Sequence, residues 1–285
     1  MTVQRKKLKR SVKTVVKHVF IALFCFVMVY PILWLISASF KTRTELAQNP
    51  AGLIPQLPTL ENYISGWSGF GKTTFATFLK NSLLLSTVGT VFQVVSSTMV
   101  AYGFARCTFK GSKILFGLMI ITMLLPGQIM LIPQYIIMNK LNWLNTYLPL
   151  LVPMLGGKPF FIFMCMQFIY GLPAELDEAA EIDGCNKFSI FTRILVPLLV
   201  PVIITQAIFS FYWKWQEFLE PMLYISDVKK YTMPIALNLF SDPSSVTNWG
   251  SIYAMSVVSI IPVFLIFVFF QKYLVEGIAT SGLKE

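Results

Sequence analysis

Histidine occurs once in this chain, as His18, and cysteine four times, as Cys25, Cys107, Cys165 and Cys185. A single histidine excludes a multi-histidine metal centre and a histidine-based catalytic cluster. The cysteine spacings fit neither a zinc site nor a redox pair. Charge is scarce as well: 13% of residues are Asp, Glu, Lys or Arg, about half the share of an ordinary soluble domain. The net charge of +10 could suggest nucleic acid, but no basic stretch is interleaved with aromatics as a base-stacking platform would be. Apolar residues fill the space instead: 55% of the 285 residues are hydrophobic and 25 are Phe. That excess has no place in a water-soluble fold of this size and points to a lipid bilayer.

Six runs approach the roughly 20 apolar residues a helix needs to cross hydrocarbon: 19–40, 81–104, 114–137, 148–170, 194–218 and 251–271. Seven basic residues precede the first (Arg5, Lys6, Lys7, Lys9, Arg10, Lys13 and Lys17), the arrangement of a cytoplasmic anchor beside a membrane helix. The same start resembles a secretory signal, with Ser37-Ala38-Ser39 as small residues at a cleavage site. Its apolar part, however, exceeds the roughly 7–15 residues of such a segment, so it reads as an uncleaved first span. Segments 1–18, 105–113, 171–193 and 272–285 carry 14 Lys and Arg, against seven on 41–80, 138–147 and 219–250. The positive-inside rule then sets both termini in the cytoplasm. The expected organisation is a basic tail 1–18, a first helix 19–40, an outer loop 41–80, a five-helix core 81–273 with an inner loop 171–193, and a tail 274–285. The fold class is all-α, a polytopic integral membrane protein with six transmembrane helices and no room for a separate soluble domain.

One stretch invites a different reading. In Gly66-Trp-Ser-Gly-Phe-Gly71-Lys72-Thr73 the residues satisfy the spacing of a phosphate-cradling P-loop. A working P-loop follows a buried strand and needs an acidic partner for Mg²⁺. Here Glu61-Asn62-Tyr63-Ile64-Ser65 precedes it, and the residues beyond Thr73 run directly into the second span. The stretch reads as a glycine-rich turn, and the chain is not expected to be an ATPase itself.

The inner loop is unlike the other connections. It holds Glu175, Asp177, Glu178, Glu181 and Asp183, five of the chain's 13 acids. Pro173 suits a helix start, acids complement the positive end of the helix dipole, and Gly184 suits a left-handed stop. A second helix starts near Asn186, with Phe188, Phe191 and Leu195 giving it an apolar face. The expectation is two short helices bent at Asp183-Gly184, with Ala179-Ala180 leaving a flat surface for another protein. Pro197 and Pro201 bend the entry to the fifth span. An ordinary solvated connector is the alternative.

The run Glu178-Ala179-Ala180-x-x-Asp183-Gly184, followed by Phe191, Ile194 and Pro197, resembles the EAA loop of ABC-transporter membrane subunits. Asn81-Ser82-Leu83, Trp215-Gln216-Glu217-Phe218 and the run 271–277 with Gly282 resemble the carbohydrate-importing, maltose-type branch, in particular its smaller permease. Two residues depart from that pattern: Gln216, where the family more often has Asn, and Cys185, where it often has Ala. The resemblance implies a type I ABC importer permease fold in a bacterial cytoplasmic membrane. It implies a second, similar permease, two cytoplasmic ATPase subunits and an extracytoplasmic solute-binding protein that delivers an oligosaccharide. Glu178, Ala179, Ala180, Asp183 and Gly184 would couple to the ATPase, and the tail at Glu276 and Gly277 would also touch it. By the same resemblance the chain is non-catalytic and holds no cofactor, ATP and Mg²⁺ residing on the partners.

Few charges lie within the spans. Lys158 sits roughly 18 Å from the inner end of span four, near mid-bilayer, where a charge costs at least about 2.5–3.5 kcal/mol unless it meets water or a partner. Its setting, Gly156-Gly157-Lys158-Pro159, breaks a helix. It faces either the pathway, where it would favour an acidic sugar, or a partner subunit. Gln128, beside Gly127 and Pro126, interrupts span three and either lines the same path or bonds a neighbouring helix. Lys214 and Glu217, among Trp213, Trp215 and Gln216, lie near the outer face. They either join an interfacial aromatic belt with the lysine snorkelling, or meet substrate or binding protein.

The rival reading is an ATP-independent secondary transporter or channel for a polar solute. It wants paired intramembrane acids or a polar ring, where these spans hold one deep lysine and no deep acid. A membrane-embedded enzyme would need a carboxylate or histidine cluster near one leaflet, and the cluster at 175–183 reads better as a docking helix.

Overall fold

The computed structural model describes the backbone of residues 2–241 and 248–282, and side chains over 13–241 and 248–273. Fifteen α-helices are described: α1 (Thr2–Ser39), α2 (Arg43–Gln48), α3 (Glu61–Ser68), α4 (Phe75–Arg106), α5 (Ser112–Leu124), α6 (Gly127–Lys140), α7 (Leu148–Leu151), α8 (Pro159–Tyr170), α9 (Glu175–Ile182), α10 (Lys187–Ser189), α11 (Val196–Leu198), α12 (Val200–Trp215), α13 (Leu219–Tyr224), α14 (Met233–Phe240) and α15 (Trp249–Gly282). Among the described residues there is no strand, only an isolated bridge between Phe70 and Thr73.

The apolar runs become four spans, Lys13–Ser39, Phe75–Arg106, Leu148–Tyr170 and Trp249–Tyr273, and two broken pairs. Each break follows from its sequence. Between α5 and α6 the chain turns through 106°; Leu125 is extended, as the residue before Pro126 is biased to be, and Pro126 caps α6. A π-helical turn over Ile190–Leu195 precedes α11, and α12 departs at 78° with Pro201 in its first turn. Counting each pair once makes six. Span four is interrupted too: α7 passes into a 3₁₀ turn, Val152–Gly156, before α8 starts at Pro159. The basic N-terminal segment is helical from Thr2 and continuous with the first span.

The chain divides into two compact units. One comprises Met1–Gly69 and Leu237–Val258. In it, the apolar stretch of α1 is covered by none of the described residues, as suits a surface meeting hydrocarbon. Beyond α1 the chain is knotted by Lys41, which is fully buried and donates to the carbonyls of Asn49 (2.9 Å) and Gly52 (2.6 Å). Asn62 donates to the carbonyls of Ser39 (2.9 Å) and Lys41 (2.7 Å). Trp34 donates to the Pro50 carbonyl at 2.8 Å and meets Tyr253 edge-on at 5.3 Å.

The other unit comprises Phe70–Ala236 and Ser259–Glu285 and is organised around α4. One face of α4 presents Ser82, Ser86, Gly89, Thr90, Gln93 and Ser97, all buried at spacings of three and four. Small residues let neighbouring backbones close in, and polar ones hold them by hydrogen bonds. Ser82 accepts from the Met233 amide (2.8 Å), Gln93 accepts from Ser210 of α12 (2.8 Å), and Ser97 accepts from the Lys158 amide (3.0 Å). Gln206 of α12 donates to the Phe161 carbonyl of α8 at 3.1 Å. A second cluster below these bonds packs Ala101, Tyr102, Cys165, Ile169, Ala180, Ile190 and Leu195.

The glycine-rich stretch 66–74 carries no phosphate cradle. Phe70 and Thr73 exchange both backbone hydrogen bonds at 2.9 Å around Gly71, which has φ +58°, and Lys72 is exposed. It is a tight turn into α4.

Gly157 has φ +73°, ψ 172°, and a side chain there would press on Ser97. Gly157→Val should lower the unfolding free energy in detergent by about 1–3 kcal/mol, read by thermal or denaturant melting. An unchanged midpoint would show that the break does not depend on glycine.

Candidate functional site

The helix break and the C-terminal part of α12 line a half-open cavity of about 250 Å³. Its lining includes Gln93, Gln134, Lys158, Trp213, Glu217 and Glu220. Lys158 caps the N-terminus of α8, and its amide is tied to Ser97. That bond holds the unwound backbone against α4, so a non-helical segment at this depth lines protein and a cavity, where it is tolerated. The Lys158 ammonium lies 3.8 Å from the centre of the Trp213 ring and 5.9 Å from that of Phe161. The two rings stack at 5.3 Å and 16°. The lysine charge is therefore met by π-faces rather than by a carboxylate among the described residues.

Lys214 does not snorkel outward. It pairs with Glu220 at 3.2 Å, both partly buried, and lines the cavity. Between the two alternatives for Trp213 and Trp215, an interfacial belt or a contact site, the two rings divide differently. Trp213 is in the cavity wall, while Trp215 is buried, stacks on Phe211 at 5.6 Å and donates to the Ser259 carbonyl at 3.0 Å. Helix α12 ends here, with Gln216 at its C-cap; Lys214 lines the cavity from its last turn and Glu217 from just beyond it. Gln216 itself is exposed and outside the lining. So is Gln128: its place in the cavity is taken by Gln134, about one and a half turns on. Sequence reasoning missed Gln93, Gln134 and Glu220. Gln93 was accessible as part of a three-and-four repeat of small polar residues in span two; the other two carry no local signal.

The inner loop folds as two short helices. Helix α9 stops at Gly184, whose φ of +82° only glycine adopts readily, and Asn186 caps the next helix by accepting from the Ser189 amide at 2.8 Å. Pro173 lies ahead of the helix, which starts at Glu175. Glu178, Ala179, Ile182, Asp183 and Gly184 are exposed, Ile182 at 87%. Ala180 corrects the expected flat alanine surface: it is 5% exposed and packs into the chain's own core, leaving only Ala179 outward. Phe188 departs in the opposite sense, being 69% exposed, while Phe191 packs on Tyr102 at 5.1 Å and Leu195 is buried. Asp177 turns inward and pairs with Arg106 at 2.9 Å. The backbone of Glu276 and Gly277 lies in α15, but their side-chain environment is outside the described residues.

Among the described residues no group of His, Cys, Asp and Glu could hold a metal ion. The four cysteines are unpaired.

If the cavity is a wet path, then in a chain lacking the native cysteines Lys158→Cys and Gln134→Cys should react with a charged methanethiosulfonate from water about tenfold or more faster than Gln128→Cys, since a thiolate forms readily only where water reaches it. Equal rates at all three positions would dissociate the cavity from water.

Residues 93–280 match the family described as "Binding-protein-dependent transport system inner membrane component". The chain is 36% identical to the arabinooligosaccharides transport system permease protein AraQ of Halalkalibacterium halodurans, over 92% of this chain and 94% of that protein. It is 30% identical to the trehalose/maltose transport system permease protein MalG of Thermococcus litoralis, over 98% and 99% respectively. The fold matches a chain in the crystal structure of a bacterial ABC transporter involved in the import of the acidic polysaccharide alginate, with TM-score 0.81 and 21% identity, covering 92% of this chain and 96% of that one. With similarity running through the cavity, the inner loop and nearly the whole length, the chain belongs to the binding-protein-dependent inner membrane transport components, among the permeases of sugar ABC importers.

Proposed function

We propose that this chain is half of the membrane path of an oligosaccharide importer, pairing with a second permease in the cytoplasmic membrane with both termini inside. Two ATPase subunits, which hold the ATP and Mg²⁺, dock on the inner loop, and an extracytoplasmic binding protein delivers the cargo. The chain itself carries out no catalytic step. The observation that carries this reading is the two-sidedness of α9: Asp177 and Ala180 are anchored in the fold, while Glu178, Ala179, Ile182 and Asp183 are left uncovered. An 87%-exposed Ile182 and a 69%-exposed Phe188 in so polar a loop mark a surface that another protein covers.

The cavity suits a carbohydrate. Trp213 and Tyr224 supply ring faces, and Gln93, Gln134 and Glu217 supply hydrogen-bonding groups for hydroxyls. With Lys214 matched to Glu220, the Lys158 ammonium is held only by rings among the described residues and swings readily to a cargo carboxylate. An acidic oligosaccharide is the cargo this arrangement favours.

In the assembled transporter, Lys158→Met should slow uptake of an acidic oligosaccharide about tenfold more than that of a neutral one, the factor expected of one partly solvated charge pair. Equal loss for both would remove the substrate-charge assignment. Gly184→Val places a branched side chain at φ +82° and should strip the ATPase from the purified chain while leaving the chain in the membrane. Undiminished co-purification of the ATPase would count against docking at this loop.

A further inference from the structure

Arg106 is the last residue of α4, and its guanidinium joins three elements at one point. Its Nε pairs with Asp177 Oδ2 at 2.9 Å in the first turn of α9. Its Nη2 donates to the carbonyls of Leu172 (2.8 Å) and Ile169 (3.3 Å), at the C-terminal end of α8. Both side chains are only 13% exposed. Each charge is placed with the grain of its helix, the cation in the last turn of α4 and the anion in the first turn of α9. Four residues earlier on the same face, Tyr102 donates to the Lys187 carbonyl at 3.2 Å and packs its ring on Phe191. Helix α4 thus grips the inner loop both before and after its bend.

The far ends of the same helices hold the cavity. Gln93 lies 13 positions before Arg106 on α4, and Lys158 caps α8, so each lies roughly 20 Å from the joint at 1.5 Å per residue. There the two helices are tied again, by the bond from the Lys158 amide to Ser97. Two rods fixed to each other at both ends, with α9 attached at one of them, move together. The apolar packing of Ala180 against the core resists separation but not sliding, because the hydrophobic effect has no direction. The guanidinium fixes register through its directional bonds to the Leu172 and Ile169 carbonyls, and the Asp177 carboxylate is held to the same planar group by charge.

We propose that the Arg106–Asp177 ion pair is the joint through which displacement of α9 reaches the Gln93 and Lys158 wall of the cavity, making Arg106 a positioning residue for coupling. The assignment rests on the docking role proposed for the inner loop. Docking and transmission are then separable, since Arg106 and Asp177 face inward and the docking residues face out.

The test uses the complex of this chain with its partner permease and ATPases in lipid nanodiscs, with native cysteines replaced and Gln134→Cys as reporter. Labelling by a charged methanethiosulfonate is compared without nucleotide and with ATP plus vanadate. The parent should show a change of about fivefold or more, the lower range of allosteric coupling. Asp177→Asn and Arg106→Gln should retain the ATPase subunit and its hydrolysis within about twofold, yet lose most of the nucleotide-dependent labelling change. Arg106→Lys, which keeps the charge without the fork, should fall between. A full labelling response in Asp177→Asn overturns the joint, as does loss of the ATPase in proportion to loss of response, which would make the pair part of docking. If the parent complex holds no ATPase, the docking reading itself fails, an outcome separate from both.

Discussion

Water is absent where most of this chain resides, so every polar group there must be answered by the protein itself. Helix α4 shows how that requirement becomes architecture. In its buried stripe Ser82, Gln93 and Ser97 find partners on neighbouring elements, while the hydroxyls of Ser86 and Thr90 are buried without a hydrogen-bond partner among the described residues. Gln93 answers Ser210, Ser82 answers the Met233 amide, and Ser97 answers the backbone where span four comes unwound. Remove that last bond and the break at Gly157-Lys158 has an orphan amide.

The cavity follows from that break. A continuous fourth span would carry Lys158 on a helix face in hydrocarbon. The interruption makes it a cap residue instead, with its ammonium against Trp213 and Phe161. The ending of α12 at Gln216 similarly lets Glu217 join Lys214, in the last turn of that helix, and Glu220 around the same space. The polar lining is thus gathered from interruptions in spans, each of which frees backbone and side chains that a regular helix would not turn to one point.

The inner loop is built the opposite way, with little burial and a few attachments on either side of its bend. Helix α9 is eight residues long, too short to be stable alone in water. Its packing onto the fold comes from Ala180, buried in the core, while Asp177 is paired with Arg106 beside it. The outward residues are then presented on a surface whose position is dictated from inside.

Composition and local pattern were enough for the class of fold, the spans, the turn at 66–74 and the bent inner loop. Those features depend on short-range chemistry: the length of an apolar run, a proline's missing donor, a glycine's freedom at φ +82°. The motif Glu178-Ala179-Ala180-x-x-Asp183-Gly184 was legible through its resemblance to a known family. What each side chain faces was not. Ala180 turned inward and Phe188 outward, Gln128 gave way to Gln134, and Trp215 went into the core. In a span apolar on every side the periodicity that distinguishes core from surface is lost, and in a loop helix as short as α9 too few turns exist to set it. Only the tertiary packing, acting across separations such as Arg106 to Asp177 and Gln93 to Ser210, decided which residues meet.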